Sequence, residues 1–217
     1  MELKRVVVTG LGAVTPLGLN VDETWEALLN GVSGAGPITH FDASQFKTQF
    51  ACEVKNFDPT LYLDKKEVRK FDRYAQFAVA AAKEAVGDSA LDLEKVDKNR
   101  VGVIFAAGIG GIRTFEEEVG GYFTNIERGP KFNPFFIPKM IADIAAGHIS
   151  MIYGFHGPNY ATVSACASST HSLIDAFNNI RLGKADVIVT GGAEAAISVA
   201  GIGGFNAMHA ISTRNED

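Results

Sequence analysis

The sequence predicts an α/β fold in which a mainly parallel sheet is covered by helices on both faces. Short β-branched runs alternate along the chain with segments whose apolar residues recur every three or four positions. Such alternation is typical of parallel sheets, because a crossover helix must return the chain to the starting end of the sheet. The 217 residues, of which 47% are apolar, suffice for one sizeable core. We therefore expect one domain over residues 1–217, with two domains as the alternative.

The first part of the chain supplies three predicted elements. The run at residues 5–9 predicts a buried strand, and an acidic cap at Asp22 predicts a helix ending at Leu29. Residues 66–86 predict one long amphipathic helix, because their apolar side chains follow helical spacing. The stripe consists of Val68, Phe71, Ala75, Ala78, Ala82 and Val86.

The remaining elements continue the alternation of strands and helices. A β-branched run at residues 100–107 predicts a strand, and helical spacing follows at residues 112–123. The later elements predicted in the same way are a helix at 134–153, a strand at 160–165, a helix at 168–182 and a strand at 185–189.

Charge and cysteine usage limit the classes of partner and the compartment. The net charge of -5 gives no global cationic field, so we expect neither nucleic acid nor an anionic membrane as a partner. The longest uncharged stretch, at residues 149–174, is broken by glycine, proline and polar residues, so it predicts no membrane span. Two distant cysteines and the lack of a signal-peptide pattern favour a cytoplasmic location.

Two glycine-rich segments invite a nucleotide-binding interpretation, which their spacing does not support. After Gly10 and Gly12, the third position of the dinucleotide fingerprint holds Thr15. Residues 108–111 lack both that spacing and the Lys-Ser/Thr of a phosphate loop. For that segment we favour a tight turn between a strand and a helix.

Cys166 lies between the predicted strand at 160–165 and the predicted helix at 168–182. A thiol at a helix start faces free N–H groups, which favour the thiolate and can stabilise an oxyanion during attack on a carbonyl. Position alone leaves a small buried packing cysteine equally open. Cys52, in a strand-like run at 50–54, is predicted to be a packing residue.

The residues around Cys166 resemble a known family. The run from Ser164 to Ser168 resembles the nucleophile motif of the β-ketoacyl-acyl carrier protein synthases, the elongating condensing enzymes of fatty-acid synthesis. Further segments resemble that family in order along essentially the whole chain. They are residues 6–18, 108–111, 133–136, 145–148, 191–194, 203–205 and 212–214.

The resemblance implies a thiolase-like fold of two similar α/β halves and a homodimer. It implies decarboxylative condensation, in which an acyl chain on Cys166 is joined to malonyl-acyl carrier protein. The expected partners are therefore acyl carrier protein and acyl and malonyl thioesters, with no cofactor and no metal. Ile109 and Phe205 match positions that line the acyl pocket, and Phe136 matches one near its far end at the dimer interface.

The chain departs from the family in lacking the second half, which carries two catalytic histidines and a lysine. The five histidines present, His40, His148, His156, His171 and His209, do not match them. We expect the nucleophile-bearing, amino-terminal half of a condensing enzyme. The alternatives are a non-catalytic subunit that binds carrier protein or shapes an acyl pocket, and an isolated half-domain without turnover.

A cluster of basic residues accompanies the predicted helix at 66–86. Lys66, Arg69, Lys70 and Arg73 are expected on the face opposite its apolar stripe. A solvated helix face is the ordinary interpretation of such a cluster. The family resemblance implies instead that Lys66, Arg69 and Lys70 dock the acidic carrier protein.

Overall fold

The computed structural model describes residues 3–216 of the chain, which form strands and helices in alternation. The strands are β1 (Gly36–Pro37), β2 (Phe50–Ala51), β3 (Val101–Ala106), β4 (Asn159–Tyr160) and β5 (Val187–Gly192). The helices are α1 (Val21–Leu29), α2 (Lys65–Val68), α3 (Arg73–Asp88), α4 (Ile112–Thr124), α5 (Phe136–Met140), α6 (Ile144–Tyr153), α7 (Ser168–Arg181) and α8 (Val199–Ala207).

The main sheet contains three strands in the order β4-β3-β5, and both strand pairs are parallel. The register places Val103 of β3 opposite Asn159 of β4 and opposite Val189 of β5. β1 and β2 form a separate antiparallel pair. The mainly parallel sheet that the alternating pattern predicts is therefore confirmed.

Helices cover both faces of this sheet, as the sequence predicts. Val101, Val103 and Phe105 of β3 join side chains of α3 and α6 in the main core. Because side chains alternate along a strand, the intervening residues such as Ile104 face the other side, where α7 packs against β3 and β5. Tyr74, Ile104 and Ile149 are fully buried.

The predicted strand at residues 5–9 is wrong, because this segment forms no strand and Val8 is 78% exposed. A β-branched run forms a strand only where a neighbouring strand accepts its backbone hydrogen bonds. Here the chain continues along α3 instead, and Leu11 N donates to Asp88 Oδ2 at 2.8 Å. A Cβ on Gly12 would stand 1.9 Å from Ala81 O, so this glycine serves close packing against the helix.

The single helix predicted at 66–86 is also wrong, because the structure divides it into α2 and α3. The break lies at Asp72, a buried residue that caps α3 by accepting the N–H of Tyr74 at 3.2 Å. Its second oxygen, Oδ2, accepts both the N–H and the hydroxyl of Thr114 in α4. A carboxylate in this position favours a new helix start over continuation of the old one.

Other predicted boundaries move by smaller amounts. The helix predicted at 134–153 is divided into α5 and α6, and the strand predicted at 160–165 is reduced to the short β4. α1 is confirmed, but its cap is Asn20 rather than Asp22, since Asn20 Oδ1 accepts the N–H of Glu23 at 2.8 Å. α4 and α7 match their predicted spans within one residue.

Cys52 is exposed, so the prediction that it packs in the interior is wrong. β2 ends at Ala51, and the buried side chain just after it is that of Glu53. Glu53 accepts hydrogen bonds from the N–H and hydroxyl of Thr39 at 2.8 and 2.6 Å. Alternation along the extended chain then directs Cys52 outward.

Candidate active site

Cys166 lies in a 3₁₀ turn, Ala165–Ala167, that leads directly into α7. The residue before it, Ala165, has a φ of 51°, in the left-handed region that residues with a side chain rarely adopt. The thiol is exposed at the start of the helix, so Cys166 is not a packing residue of this chain's core. A strained turn that presents a nucleophile at a helix start is typical of a catalytic elbow.

A buried serine holds this turn in place. Ser168 Oγ accepts the N–H of Ser164 at 2.8 Å and donates to the carbonyl oxygen of Ala165 at 2.7 Å. Thr162 donates its hydroxyl to the carbonyl oxygen of Ser168 at 2.9 Å. The Ser168 hydroxyl thus bonds to the backbone of Ser164 and of Ala165, the residue with the positive φ. It supplies hydrogen-bond partners that the backbone of the turn cannot supply.

His171 adds a further contact to the same turn. Its Nδ1 lies 2.6 Å from Ser164 Oγ, and its ring is exposed on α7. The His171 side chain therefore contacts Ser164, which precedes Cys166 by two residues. Of the other histidines, His148 stacks on Phe71 with ring centroids 3.6 Å apart, and burial lowers the pKa of His148 to about 4.

The loop between β3 and α4 lies against the elbow. A Cβ on Gly108 would stand 3.4 Å from the carbonyl oxygen of Ala165. This confirms the strand-to-helix turn predicted for residues 108–111. Glu194, which follows β5, accepts the N–H of Ile109 at 2.7 Å and the N–H of Gly110 at 3.1 Å.

An apolar cavity of about 330 Å³ begins at this loop. It is lined by Ile109, Ile112, Phe115, Met140, Ile141 and Ala142. A larger cavity of about 400 Å³ is lined by residues 60–64, Glu67, Lys83 and Ile152, none of which belongs to the elbow. The smaller, apolar cavity shares Ile109 with the loop whose Gly108 lies against the elbow.

The three side chains expected in the acyl pocket occupy different places. Ile109 lines the apolar cavity. Phe136 lies behind it, with its ring centroid 6.2 Å from that of the lining residue Phe115 and 5.5 Å from that of Phe132. Phe205 lies half-buried on α8 and is not among the lining residues.

The basic residues near α2 form a surface rather than one helix face. Lys66 and Arg69 are exposed, and they lie on the short α2 and on the turn that follows it. Lys70 pairs with Glu67 at 2.6 Å, and its Nζ lies 5.7 Å from the centroid of the Phe135 ring. We call Lys66, Arg69 and Lys70 the basic patch.

Arg73 has a different role from the basic patch. Its guanidinium stands over the rings of Phe57 and Phe77, at 4.7 and 4.9 Å from their centroids. Burial lowers the pKa of Arg73, and the positive charge of Arg113 lowers it further. The cation–π contacts make Arg73 part of the packing between α3 and the preceding segment.

The described part of the chain, residues 3–216, lacks two further features. No group of three or more His, Cys, Asp or Glu side chains in this range is placed to hold a metal ion. None of the helices in the same range has the length and apolar character required to cross a bilayer.

Comparison with known proteins gives one consistent result. The family model described as "Beta-ketoacyl synthase, N-terminal domain" matches residues 3–217. The 3-oxoacyl-(acyl-carrier-protein) synthase 2 of Coxiella burnetii is 46% identical over 217 residues, which cover 100% of this chain and 52% of that protein. A protein of the same name from Staphylococcus aureus strain COL is 44% identical over 214 residues, covering 98% and 51%.

A solved structure agrees with these sequence relatives. A β-ketoacyl synthase from Burkholderia phymatum is similar with a TM-score of 0.86 and 28% identity, covering 99% of this chain and 52% of that chain. The chain therefore spans about half the length of the relatives it matches.

Sequence reasoning missed the supporting residues of the site. Ser164 and Ser168 were visible only as the ends of the nucleophile motif, although a serine two residues after a candidate nucleophile, at a helix start, could have suggested a local side-chain bond. Glu194 was visible only as part of a motif. Its contact with residues 109 and 110 requires β5 to lie beside β3, which the sequence alone does not specify.

The bracing of the elbow gives a testable expectation. Replacing Ser168 by alanine leaves the N–H of Ser164 without its buried acceptor, so the free energy of unfolding should fall by about 1–3 kcal/mol. Thr170→Ala, at an exposed position on the same helix, should change it by less than about 0.5 kcal/mol. Urea denaturation of both variants measures the difference, and equal effects would contradict the role given to Ser168.

Proposed function

Because the chain belongs to the β-ketoacyl synthase family and matches its amino-terminal domain, we propose that it supplies the acyl-carrying half of a 3-oxoacyl-acyl carrier protein synthase. The observation that carries the proposal is the exposed thiol of Cys166 on a braced turn, next to a loop that leads into an apolar cavity. A thioester with an apolar chain is the substrate that such a combination fits.

In the first step, Cys166 Sγ attacks the carbonyl carbon of an acyl group carried as a thioester on acyl carrier protein. A bond forms between the Sγ thiolate and that carbon, the bond to the carrier's sulfur breaks, and the carrier leaves as a thiolate that takes up a proton from solvent. The backbone N–H of Cys166, in the turn before α7, would stabilise the negative charge that develops on the carbonyl oxygen. The acyl chain then extends along Ile109 towards the cavity.

In the second step, malonyl-carrier protein loses carbon dioxide, and the carbanion so formed attacks the acyl carbon on Cys166. The bond between that carbon and Sγ breaks, which releases β-ketoacyl-carrier protein and restores the thiolate. The family resemblance assigns two histidines and a lysine of the second half to this step. We therefore assign acylation to the residues of this chain, and condensation to the protein with both halves.

The basic patch is the proposed docking surface for acyl carrier protein. Lys66 and Arg69 are exposed and pair with no carboxylate among residues 3–216, whereas Lys70 shares its charge with Glu67. Charges of this kind accelerate encounter with an acidic partner and are screened by salt. We expect Lys66 and Arg69 to contribute more than Lys70, because the pair with Glu67 must be opened before Lys70 can bind elsewhere.

We also propose a homodimer in the cytoplasm. Support for the dimer comes from exposed apolar side chains of α4, α5 and the segment between them, namely Phe115, Phe123, Ile126, Phe132, Phe135 and Ile137. The wall of the cavity includes Phe115, so this surface and the proposed acyl pocket are adjacent. Support for the compartment comes from Cys52 and Cys166, which are both free thiols.

The first prediction of this proposal concerns acylation. After incubation with an acyl-carrier thioester, the full-length protein should gain the mass of one acyl group, and peptide mapping should locate it on Cys166. Cys166→Ala should abolish the label, because the nucleophile is removed. Cys52→Ala is the matched control, since Cys52 is also a free and exposed thiol, and it should retain full labelling.

The outcomes of this experiment separate the alternative functions. Labelling of Cys166 followed by β-ketoacyl formation with malonyl-carrier protein supports the condensing enzyme. Labelling without condensation supports an isolated half-domain without turnover. If the wild-type protein gains no acyl group, the hypothesis that Cys166 is the nucleophile is rejected, and a non-catalytic carrier-binding subunit is favoured.

The second prediction concerns docking. Arg69→Glu combined with Lys66→Glu should slow acyl transfer from carrier protein by about tenfold at low salt, because attraction is replaced by repulsion. Transfer from a small-molecule acyl thioester, which lacks the acidic carrier, should be unchanged. The rates of Cys166 acylation by the two donors measure the difference.

A control for overall charge is available on another surface. Lys95 is exposed and pairs with Asp92 three residues away, so Lys95→Glu changes the net charge outside the basic patch. This variant should use both donors like the wild-type protein. Equal slowing of both donors in the patch variant would contradict docking at Lys66 and Arg69.

A further inference from the structure

Glu194 connects two strands of the sheet at the edge where Cys166 lies. It follows the end of β5, and its carboxylate accepts two backbone N–H groups from the loop after β3. Oε2 lies 2.7 Å from Ile109 N, and Oε1 lies 3.1 Å from Gly110 N. Hydrogen bonds to a carboxylate are stronger than those between neutral groups, so this contact fixes the position of the loop.

The same loop is confined on its other sides. Gly110 has a φ of 84°, and Gly111 N donates to the carbonyl oxygen of Met140 at 3.0 Å. A Cβ on Gly108 would meet Glu194 Oε2 at 3.1 Å and Ala165 O at 3.4 Å. The loop therefore lies between the elbow, Glu194 and the segment that ends α5.

Ile109 stands at the junction of the elbow and the apolar cavity. Its neighbour Gly108 faces Ala165, while the side chain of Ile109 lines the cavity together with Ile112 and Phe115. In the proposed function, a long acyl chain on Cys166 reaches the cavity along this side chain, whereas a short acyl group does not need to reach it.

The environment of Glu194 is consistent with a structural carboxylate. Solvent reaches one side of its side chain, yet the surrounding protein atoms desolvate the carboxylate and raise the pKa of Glu194. The N–H groups of Ile109 and Gly110 oppose this shift.

We propose that Glu194 is a positioning residue that holds Ile109 at the entrance from Cys166 to the apolar cavity, and thereby determines how well long acyl chains are transferred. This inference rests on the proposed function of Cys166. Glu194 acts through the two N–H groups of the loop and not through contact with the reacting atoms.

The test compares two acyl donors in the full-length protein. Rates of Cys166 acylation are measured with palmitoyl-carrier and butyryl-carrier protein for the wild type, Glu194→Ala and Glu194→Gln. In Glu194→Ala, palmitoyl transfer should fall by about tenfold relative to butyryl transfer, the effect expected for losing a hydrogen bond to a charged group. Glu194→Gln should be intermediate, because its amide oxygen can still accept one N–H.

Glu84→Gln is the matched control. The Glu84 carboxylate likewise accepts two backbone N–H groups, from Ala13 at 2.9 Å and from Val21 at 2.8 Å, but these lie on the amino-terminal segment. This variant should keep the wild-type ratio of palmitoyl to butyryl transfer. Hydrogen exchange adds a readout independent of activity, since the amides of Ile109 and Gly110 should exchange faster in Glu194→Ala and remain as in the wild type in Glu84→Gln.

The possible failures are distinguishable. A wild-type protein that accepts neither donor rejects the proposed function, and this inference with it. A wild-type protein that is acylated, together with an unchanged palmitoyl-to-butyryl ratio in both Glu194 variants, rejects the inference alone. If Glu194→Ala does not fold, the ratio measured for Glu194→Gln decides between these results.

Discussion

The left-handed backbone at Ala165 is the constraint on which the rest of the site depends. A residue with a side chain loses about 1–2 kcal/mol in this conformation, so the turn persists only because other contacts hold it. Ser168 supplies the closest of these contacts, through bonds to Ser164 and Ala165. The fully buried Ser172 anchors the next turn of α7, with its Oγ 2.7 Å from the carbonyl oxygen of Gly191 in β5. The sheet and α7 together therefore fix where Cys166 stands.

The same framework connects the three parts of the proposed function. β3 and β5 are neighbouring strands that end beside the elbow. Glu194, which follows β5, accepts a hydrogen bond from Ile109 in the loop after β3. Asp72 lies between the basic patch and α4, where it holds Thr114. The turn that carries Arg69 and Lys70 thus continues into a residue bonded to α4, the helix that lines the apolar cavity.

Patterns that one element determines by itself could be predicted from the sequence, whereas features that depend on neighbours could not. β3 is a continuous β-branched run and α7 has helical periodicity, and their predicted spans agree with the structure within one or two residues. The division of the helix at Asp72 depends on Thr114, which is 42 residues away, and the strand expected at residues 5–9 required a partner strand that is not beside it. Cys166 was identified by its neighbours in sequence, but the groups that hold its turn and loop, Ser168 and Glu194, became visible only in three dimensions.

Competitive alkylation of the two free thiols tests most directly whether the elbow makes Cys166 a nucleophile. Both cysteines are exposed, so access to reagent does not by itself distinguish them. In the folded protein, limiting iodoacetamide should label Cys166 about tenfold faster than Cys52, because the braced turn presents the Cys166 thiol for attack at the start of α7. The preference should disappear in urea, where the turn is lost. Equal rates in the folded protein, or faster labelling of Cys52, would contradict this account.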